Sequence, residues 1–160
     1  MTGSSLADAG FRIRRMTEDD LDQVVAIENV SFPNPWRRSF FASDIAKPES
    51  LCIVAESGDD RVVGYLIAWG WDEIHLANVA VAAEWRRQGI GRELMTAMIR
   101  WALERGASSI YLEVRESNLA AQRFYTGLGF VPTYRRKGYY ENTEDAIVME
   151  RKLERFEPQQ

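Results

Sequence analysis

The segment EWRRQGIGRELM, residues 84–95, joins arginines, a glutamine and two glycines to the start of an amphipathic pattern. Glycine lets backbone N–H groups approach a ligand closely, and the N-terminus of a helix favours negative charge. The segment therefore predicts a binding site for an anion, and phosphate groups are anions that such junctions bind.

Two phosphate-binding motifs do not fit this segment. A P-loop requires lysine and then serine or threonine after its last glycine, whereas Gly91 is followed by Arg92 and Glu93. A dinucleotide fingerprint, G-x-G-x-x-G, requires a third glycine where Leu94 stands. The sequence therefore argues against a P-loop and gives only weak support to a nicotinamide-binding site.

The pattern that fits is R-x-x-G-x-G, carried by Arg86, Gly89 and Gly91. Backbone N–H groups of residues 87–92 can then surround a pyrophosphate at the start of a helix. On spacing alone, a glycine turn flanked by solvated arginines is an equally good interpretation.

A second candidate group is the carboxylate of Glu113. In SSIYLEVRES, strand alternation places Glu113 on one face with Tyr111 and Arg115, and the apolar residues on the other. Glu113 is then either a solvated glutamate, with Arg115 as a candidate ion-pair partner, or a general base. Because the reference pKa of glutamate is near 4.3, a base at this position needs burial or a water relay.

Three further side chains have both a structural and a chemical interpretation. Tyr125 follows Asn118 by seven residues, so both lie on one face of a helix, and Tyr125 is either a core aromatic or a proton donor. His75 is the only histidine and is either structural or an auxiliary base. Glu73 shares its strand face and has the same two interpretations.

The elements that must position these groups alternate between strand and helix patterns, so the sequence predicts an α/β fold. Thr17 and Asp20 are spaced as a variant capping box at the first helix. The predicted order is β-α-α-β-β-β-α-β-α-β-β. Strands are expected at 11–16, 50–57, 61–71, 73–83 and 108–117, with a final antiparallel pair formed by VPTYRRKGYY and DAIVMERKL. Helices are expected from Thr17 and over 37–47, 90–106 and 118–130. We expect one domain over residues 11–153, a disordered head over 1–10 and a tail over 154–160.

Composition limits the class of protein. A chain of 160 residues that is 46% hydrophobic has the size of one globular domain, and its net charge of −4 argues against a nucleic-acid partner. The single cysteine, Cys52, excludes an intrachain disulfide and a cysteine-based zinc site, and no other side chains have metal-ligand spacing. Without a signal peptide or an apolar run long enough to span a membrane, we expect a cytoplasmic protein.

Several segments together resemble the GNAT family of N-acetyltransferases, and most closely its RimI branch of ribosomal-protein-alanine N-acetyltransferases. The resemblance spans nearly the whole chain and is carried by SFPNPW, NVAVAAEWRRQGIGRELM, LEVRESNLAAQRFYTGLGF, and GYY followed by EDAIVM. It implies a single α/β domain with a mixed, mostly antiparallel central sheet flanked by about four helices. It also implies that the anion is the pyrophosphate of acetyl-CoA.

The resemblance also implies roles for individual residues. Glu113 corresponds to the general base, and Tyr125 to the acid that protonates the CoA thiolate. Residues expected to contact acetyl-CoA, the first three through their main chain, are Val79, Ala80, Val81, Arg86, Arg87, Gln88, Gly89, Ile90, Gly91, Arg92 and Asn118. Trp36, Tyr139 and Tyr140 are expected to contact the acceptor, although the two tyrosines are equally well interpreted as ordinary strand aromatics.

The expected reaction is transfer of an acetyl group to the N-terminal alanine of a small-subunit ribosomal protein. Glu49, Glu116 or Glu141 would attract the basic N-terminal peptide of that partner. Two alternatives stay open: an acetyltransferase with broader protein N-terminal or small-amine substrates, and a non-catalytic acyl-CoA-binding regulatory domain. The sequence does not predict the oligomeric state.

Overall fold

The computed structural model describes residues 10–154. The predicted head and tail lie outside these residues, apart from Gly10 and Glu154. The chain divides into two compact units. The first extends to Trp69 and includes Ala77–Trp101, and the second comprises Gly70–Leu76 and continues from Ala102.

The order of helices and strands is the predicted one. The strands are β1 (Phe11–Arg15), β2 (Ser50–Ser57), β3 (Val62–Trp69), β4 (Glu73–Val81), β5 (Ser109–Arg115), β6 (Val131–Arg136) and β7 (Ala146–Lys152). The α-helices are α1 (Leu21–Ser31), α2 (Arg38–Ile45), α3 (Ile90–Glu104) and α4 (Leu119–Gly127), and 3-10 turns occupy Glu18–Asp20 and Ala83–Trp85. None of the described helices is long and apolar enough to cross a membrane.

Strand pairing confirms the prediction of a mixed, mostly antiparallel sheet. Its hydrogen-bonded order is β1-β2-β3-β4-β5-β7-β6. Antiparallel ladders join β1 to β2, β2 to β3, β5 to β7 and β6 to β7, whereas β4 and β5 are parallel. A parallel pair needs a crossover connection, and α3 supplies it between β4 and β5.

The first unit has an apolar core beneath α1 and α2. Its buried residues are Met16, Leu21, Val24, Ile27, Phe41, Cys52, Val54, Val62, Tyr65 and Ile67. Strands β2 and β3 are buried along almost their whole length, which explains their continuous apolar sequences. At the start of α1 the carboxylate of Asp20 accepts the N–H of Thr17 at 2.8 Å, the contact expected from their spacing.

The same unit contains a buried carboxylate, Glu28 of α1, which is 1% exposed. It accepts hydrogen bonds from the Tyr65 hydroxyl, from Asn78 Nδ2 at 2.6 Å and from the Trp36 N–H at 2.9 Å. Burying a carboxylate is costly unless it is hydrogen-bonded, and these three donors offset that cost. Glu28 thereby ties α1 to β3, β4 and the connection before α2.

The second unit is arranged around β5. Ile110, Leu112 and Val114 are buried while the intervening residues are only half-buried, so the predicted alternation is correct. All seven residues of β5 pair with β7. Gly70, at the turn before β4, has φ 133°, and a side chain there would collide with the carbonyl of Glu73.

Replacing Tyr65 with phenylalanine tests the Glu28 contacts. Burial and the nearby Glu28 carboxylate raise the pKa of Tyr65, so its hydroxyl stays protonated and donates. We expect Tyr65→Phe to lower the free energy of unfolding by about 1–3 kcal/mol, because a buried acceptor loses one donor. Urea unfolding measures this loss, with Tyr134→Phe at an exposed hydroxyl as the matched control. Equal stability of the two variants would contradict the prediction.

Candidate active site

The glycine-containing segment forms the junction between β4 and α3. A 3-10 turn at Ala83–Trp85 is followed by an exposed loop, residues 86–89, and the helix begins at Ile90. Ile90 is 1% exposed, so its side chain anchors the first turn of the helix in the core. The N–H of Glu93 donates to the carbonyl of Gly89 at 3.0 Å, which closes that turn.

The backbone of this loop enters the left-handed region twice. Arg86 has φ −69°, Arg87 has φ 63° and Gly89 has φ 85°. A positive φ is uncommon for a residue other than glycine, and such changes of hand turn successive N–H groups towards one side. Nothing lies within 4 Å of the position that a Gly89 side chain would take. The loop therefore offers N–H donors at a helix N-terminus, a geometry that suits an anionic phosphate.

The end of β4 leads directly into this junction. Burial alternates along the strand as far as Asn78, and then Val79, Ala80 and Val81 are all half-buried. The Val81 carbonyl accepts a hydrogen bond from Arg86 Nε at 3.2 Å, so the first arginine of the motif folds back on the strand. Main-chain binding of the acetyl group by these three residues stays a prediction.

A short polar contact in the second unit joins β4 to β5. His75 Nε2 lies 2.7 Å from Glu113 Oε1, and the side chains are 20% and 9% exposed. Because a carboxylate oxygen accepts hydrogen bonds, the contact is a hydrogen bond in the tautomer in which Nε2 carries the hydrogen and donates to Glu113. The His75 ring also stacks on Tyr111, with centroids 4.6 Å apart and an interplanar angle of 11°. Glu113 is therefore a poorly solvated carboxylate held in one orientation.

This pairing corrects two interpretations of the sequence. Arg115 is not the partner of Glu113, because its guanidinium contacts Glu141 and Glu144 instead. Side chains two residues apart on a strand point the same way and do not converge, so each meets partners from other elements more readily than it meets the other. His75, the only histidine, has a titratable partner after all, since the parallel register sets it opposite Tyr111, two residues before Glu113.

A signal for the His75–Glu113 contact was present in the sequence. A strand, a helix and a second strand in succession predict a parallel pair, here β4 and β5. Aligning the two strands places the face that carries Glu73 and His75 beside the face that carries Tyr111 and Glu113. Glu73 lies on that face but is exposed.

Asn118 and Tyr125 lie at opposite ends of α4. Asn118 is the N-cap, and its Oδ1 accepts the N–H of Ala121 at 3.1 Å. Tyr125 is half-buried and meets Phe124 and Phe130 edge to face, with centroids 5.4 and 6.0 Å away. Burial raises the pKa of Tyr125 to about 12, so the phenol is neutral at physiological pH and retains a proton to donate.

Trp36, a predicted substrate contact, belongs to an aromatic cluster of the first unit. Its ring lies 5.4 Å from Phe40, 5.5 Å from Phe41 and 6.1 Å from Trp69, centroid to centroid. Its N–H donates to Glu28. The neighbouring aromatic rings and the hydrogen bond to Glu28 therefore hold Trp36 in place, and only part of its side chain faces solvent.

Tyr139 and Tyr140 lie in the β6–β7 loop, residues 137–145, of the second unit. Their rings meet edge to face at 5.0 Å, and Tyr139 is 46% exposed. They are loop residues rather than strand aromatics.

Two acidic residues expected to attract a basic peptide are already ion-paired. Glu116 pairs with Arg135 at 2.6 Å, and Glu141 pairs with Arg115.

Cys52 and the acidic side chains offer little other chemistry. Cys52 is 5% exposed, and burial raises the pKa of its thiol to about 12, so it is a core residue rather than a nucleophile. Among residues 10–154, no group of three or more His, Cys, Asp or Glu side chains is arranged to hold a metal ion.

Comparison with known proteins places these features in a family. The model of the acetyltransferase (GNAT) family matches residues 21–130. The [ribosomal protein bS18]-alanine N-acetyltransferase of Escherichia coli K12 is 34% identical over 141 residues, which cover 86% of this chain and 94% of that protein. An N-alpha-acetyltransferase of Saccharolobus solfataricus is 34% identical over 157 residues, covering 89% of this chain and 93% of that protein.

A solved structure shows the same similarity. The crystal structure of the ribosomal-protein-S18-alanine N-acetyltransferase from Escherichia coli superimposes with a TM-score of 0.83 at 31% identity. The match covers 92% of this chain and 96% of that chain. With a family match over most of its length and relatives that align almost from end to end, the chain belongs to the GNAT family and is an acetyl-CoA-dependent N-acetyltransferase.

Proposed function

We propose that this enzyme is an N-alpha-acetyltransferase that acts in the cytoplasm on the N-terminal alanine of a small-subunit ribosomal protein. The observation that carries the proposal is the Glu113 carboxylate, 9% exposed and held by His75 at 2.7 Å. The names of the Escherichia coli and Saccharolobus solfataricus relatives support an N-terminal amine as the acceptor.

Acetyl transfer from a thioester to an amine makes three demands. The amine must lose a proton to attack, the oxyanion that forms needs donors, and the thiolate that leaves needs a proton. We assign the first demand to Glu113, directly or through a water molecule. His75 donates to one oxygen of that carboxylate, which fixes the carboxylate orientation and leaves the other oxygen to accept the proton. Tyr125 meets the third demand with its neutral phenol.

The kind of base favours an α-amine over lysine. At pH 7 an α-amine with a pKa near 8 is about one-tenth neutral, whereas a lysine with a pKa near 10.4 is neutral about once in 2,500. This difference corresponds to about 3 kcal/mol, which a lysine acetyltransferase must supply through its site. A single carboxylate with one histidine partner suits the easier deprotonation.

We propose that acetyl-CoA binds at the junction between β4 and α3, where its pyrophosphate can accept hydrogen bonds from backbone N–H groups. The loop of residues 86–89 and the start of α3 offer N–H donors for the pyrophosphate, and the positive φ angles of Arg87 and Gly89 fit that task. The residues proposed to contact acetyl-CoA are Val79, Ala80, Val81, Arg86, Arg87, Gln88, Gly89, Ile90, Gly91, Arg92 and Asn118. The main chain of the first three is assigned to the acetyl carbonyl.

The acceptor is tested by locating the acetyl group. The enzyme is incubated with acetyl-CoA and a basic peptide that starts with alanine and contains one lysine. We expect tandem mass spectrometry to find the acetyl group only on the α-amine. Glu113→Gln should lower kcat/KM about 10²- to 10⁴-fold without loss of acetyl-CoA binding, because the base is removed. Glu104→Gln, at an exposed site on α3, is the matched control.

Two outcomes would contradict this proposal. Acetylation of the lysine would place the enzyme in another branch of the family, and full activity of Glu113→Gln would remove the proposed base. Peptides that start with serine or methionine extend the test to the second candidate, a broader N-terminal acetyltransferase, which the less specific name of the archaeal relative favours.

The proposed acid gives a separate prediction. Tyr125→Phe should lower kcat about 10- to 100-fold with little change in either KM, since a thiolate with a pKa near 8.5 leaves readily and needs only modest help. Because the pKa of Tyr125 is about 12, its ionisation should remove no wild-type activity as the pH rises to about 10. Unchanged kcat in the variant, measured at saturating substrates, would show that another group protonates the thiolate.

A further inference from the structure

The side chain of Arg115 lies where the β6–β7 loop returns to the sheet. Arg115 is the last residue of β5 and shares the face of Glu113. In the antiparallel register it stands opposite Ala146, the first residue of β7, and Ala146 also pairs with Arg136, the last residue of β6. Both ends of the loop therefore lie beside Arg115.

The guanidinium of Arg115 contacts four residues of that loop. It donates to Glu141, to Glu144 Oε1 at 3.2 Å and to Asn142 Oδ1 at 3.2 Å. It also lies over the ring of Tyr140, 4.2 Å from the centroid. A guanidinium holds its donors in a fixed fork and can stack on an aromatic ring, so one arginine can order several loop residues at once.

Other contacts of the loop lie mostly at its ends or within its own backbone: Asp145 accepts the Gly138 N–H at 2.9 Å and pairs with Arg135, and the Tyr140 N–H donates to the Glu144 carbonyl. Most of its residues are exposed, and Thr143 has φ 65°, a conformation that costs free energy unless neighbouring contacts maintain it. Glu144 links the loop to the turn after β5, because its Oε2 accepts the N–H of Ser117 at 2.8 Å. Single exposed ion pairs contribute little, but here several contacts converge on one cation.

We propose that Arg115 is a positioning residue for the acceptor peptide: it holds the β6–β7 loop so that Tyr139 and Tyr140 face the peptide in one arrangement. This inference rests on the proposed function, which gives the two tyrosines an N-terminal peptide as their ligand. Glu113 performs the chemistry on the same strand face, whereas Arg115 acts only through the loop. The interactions of Arg115 therefore affect binding of the acceptor rather than the reaction that follows.

Steady-state kinetics with an alanine-starting peptide separates these roles. Arg115→Met should raise the peptide KM about five- to twentyfold, while kcat and the acetyl-CoA KM stay near wild-type values. Arg115→Lys keeps the charge but not the fork and should recover only part of the loss. Arg12→Met removes an arginine paired with Glu56 in the first unit and is the control.

A second variant and a second readout keep the test decisive. If Arg115→Met does not fold, Glu144→Ala removes the same contact from the loop side and should raise the peptide KM in the same way. Hydrogen exchange of the amides of residues 138–145 should be faster in both variants than in wild type. An unchanged peptide KM, or a fall in kcat alone, would overturn the inference. Absence of α-amine product from wild type would overturn the proposed function, and hydrogen exchange would then still decide whether Arg115 holds the loop.

Discussion

The proposed chemistry of this enzyme depends on one contact, between His75 Nε2 and Glu113 Oε1, which lie 2.7 Å apart. A carboxylate that is 9% exposed needs a donor, because water no longer solvates it fully. The parallel ladder between β4 and β5 supplies that donor by setting His75 opposite Tyr111. The crossover helix α3 makes a parallel ladder possible, and its N-terminus lies at the junction proposed to bind an anion. One β-α-β connection thus builds both the proposed base and the proposed pyrophosphate site.

The surrounding charges leave that base available. Arg115, two residues further along β5, is the nearest arginine in the sequence and would compete for the carboxylate. Its guanidinium is instead neutralised by Glu141 and Glu144 of the β6–β7 loop. The same contacts order the loop that carries the proposed acceptor-binding tyrosines. A cation that would weaken the proposed base is therefore engaged by the loop of the proposed acceptor site.

Sequence patterns predicted the features that are local in the chain. Strand alternation placed Glu113 on the less buried face, and glycine spacing located the junction before α3. Contacts between distant segments were not predicted: the His75–Glu113 pair spans 38 residues, and Glu28 accepts from donors 8 to 50 residues away. Such pairs depend on strand register, which alternation alone does not give. The β-α-β order contained part of that register for His75. Helix spacing places Glu28 on the face of Leu21 and Val24, but no pattern identified the donors that it accepts from.

The central claim is that His75 and Glu113 act as one unit, and a double-mutant cycle on kcat/KM for the alanine-starting peptide tests it most directly. If His75 works only by holding Glu113, the variant His75→Gln with Glu113→Gln will be no slower than Glu113→Gln alone. The single variant His75→Gln will still be slower than wild type. Losses that multiply in the double variant would contradict this account, because they would mean that the two side chains act independently.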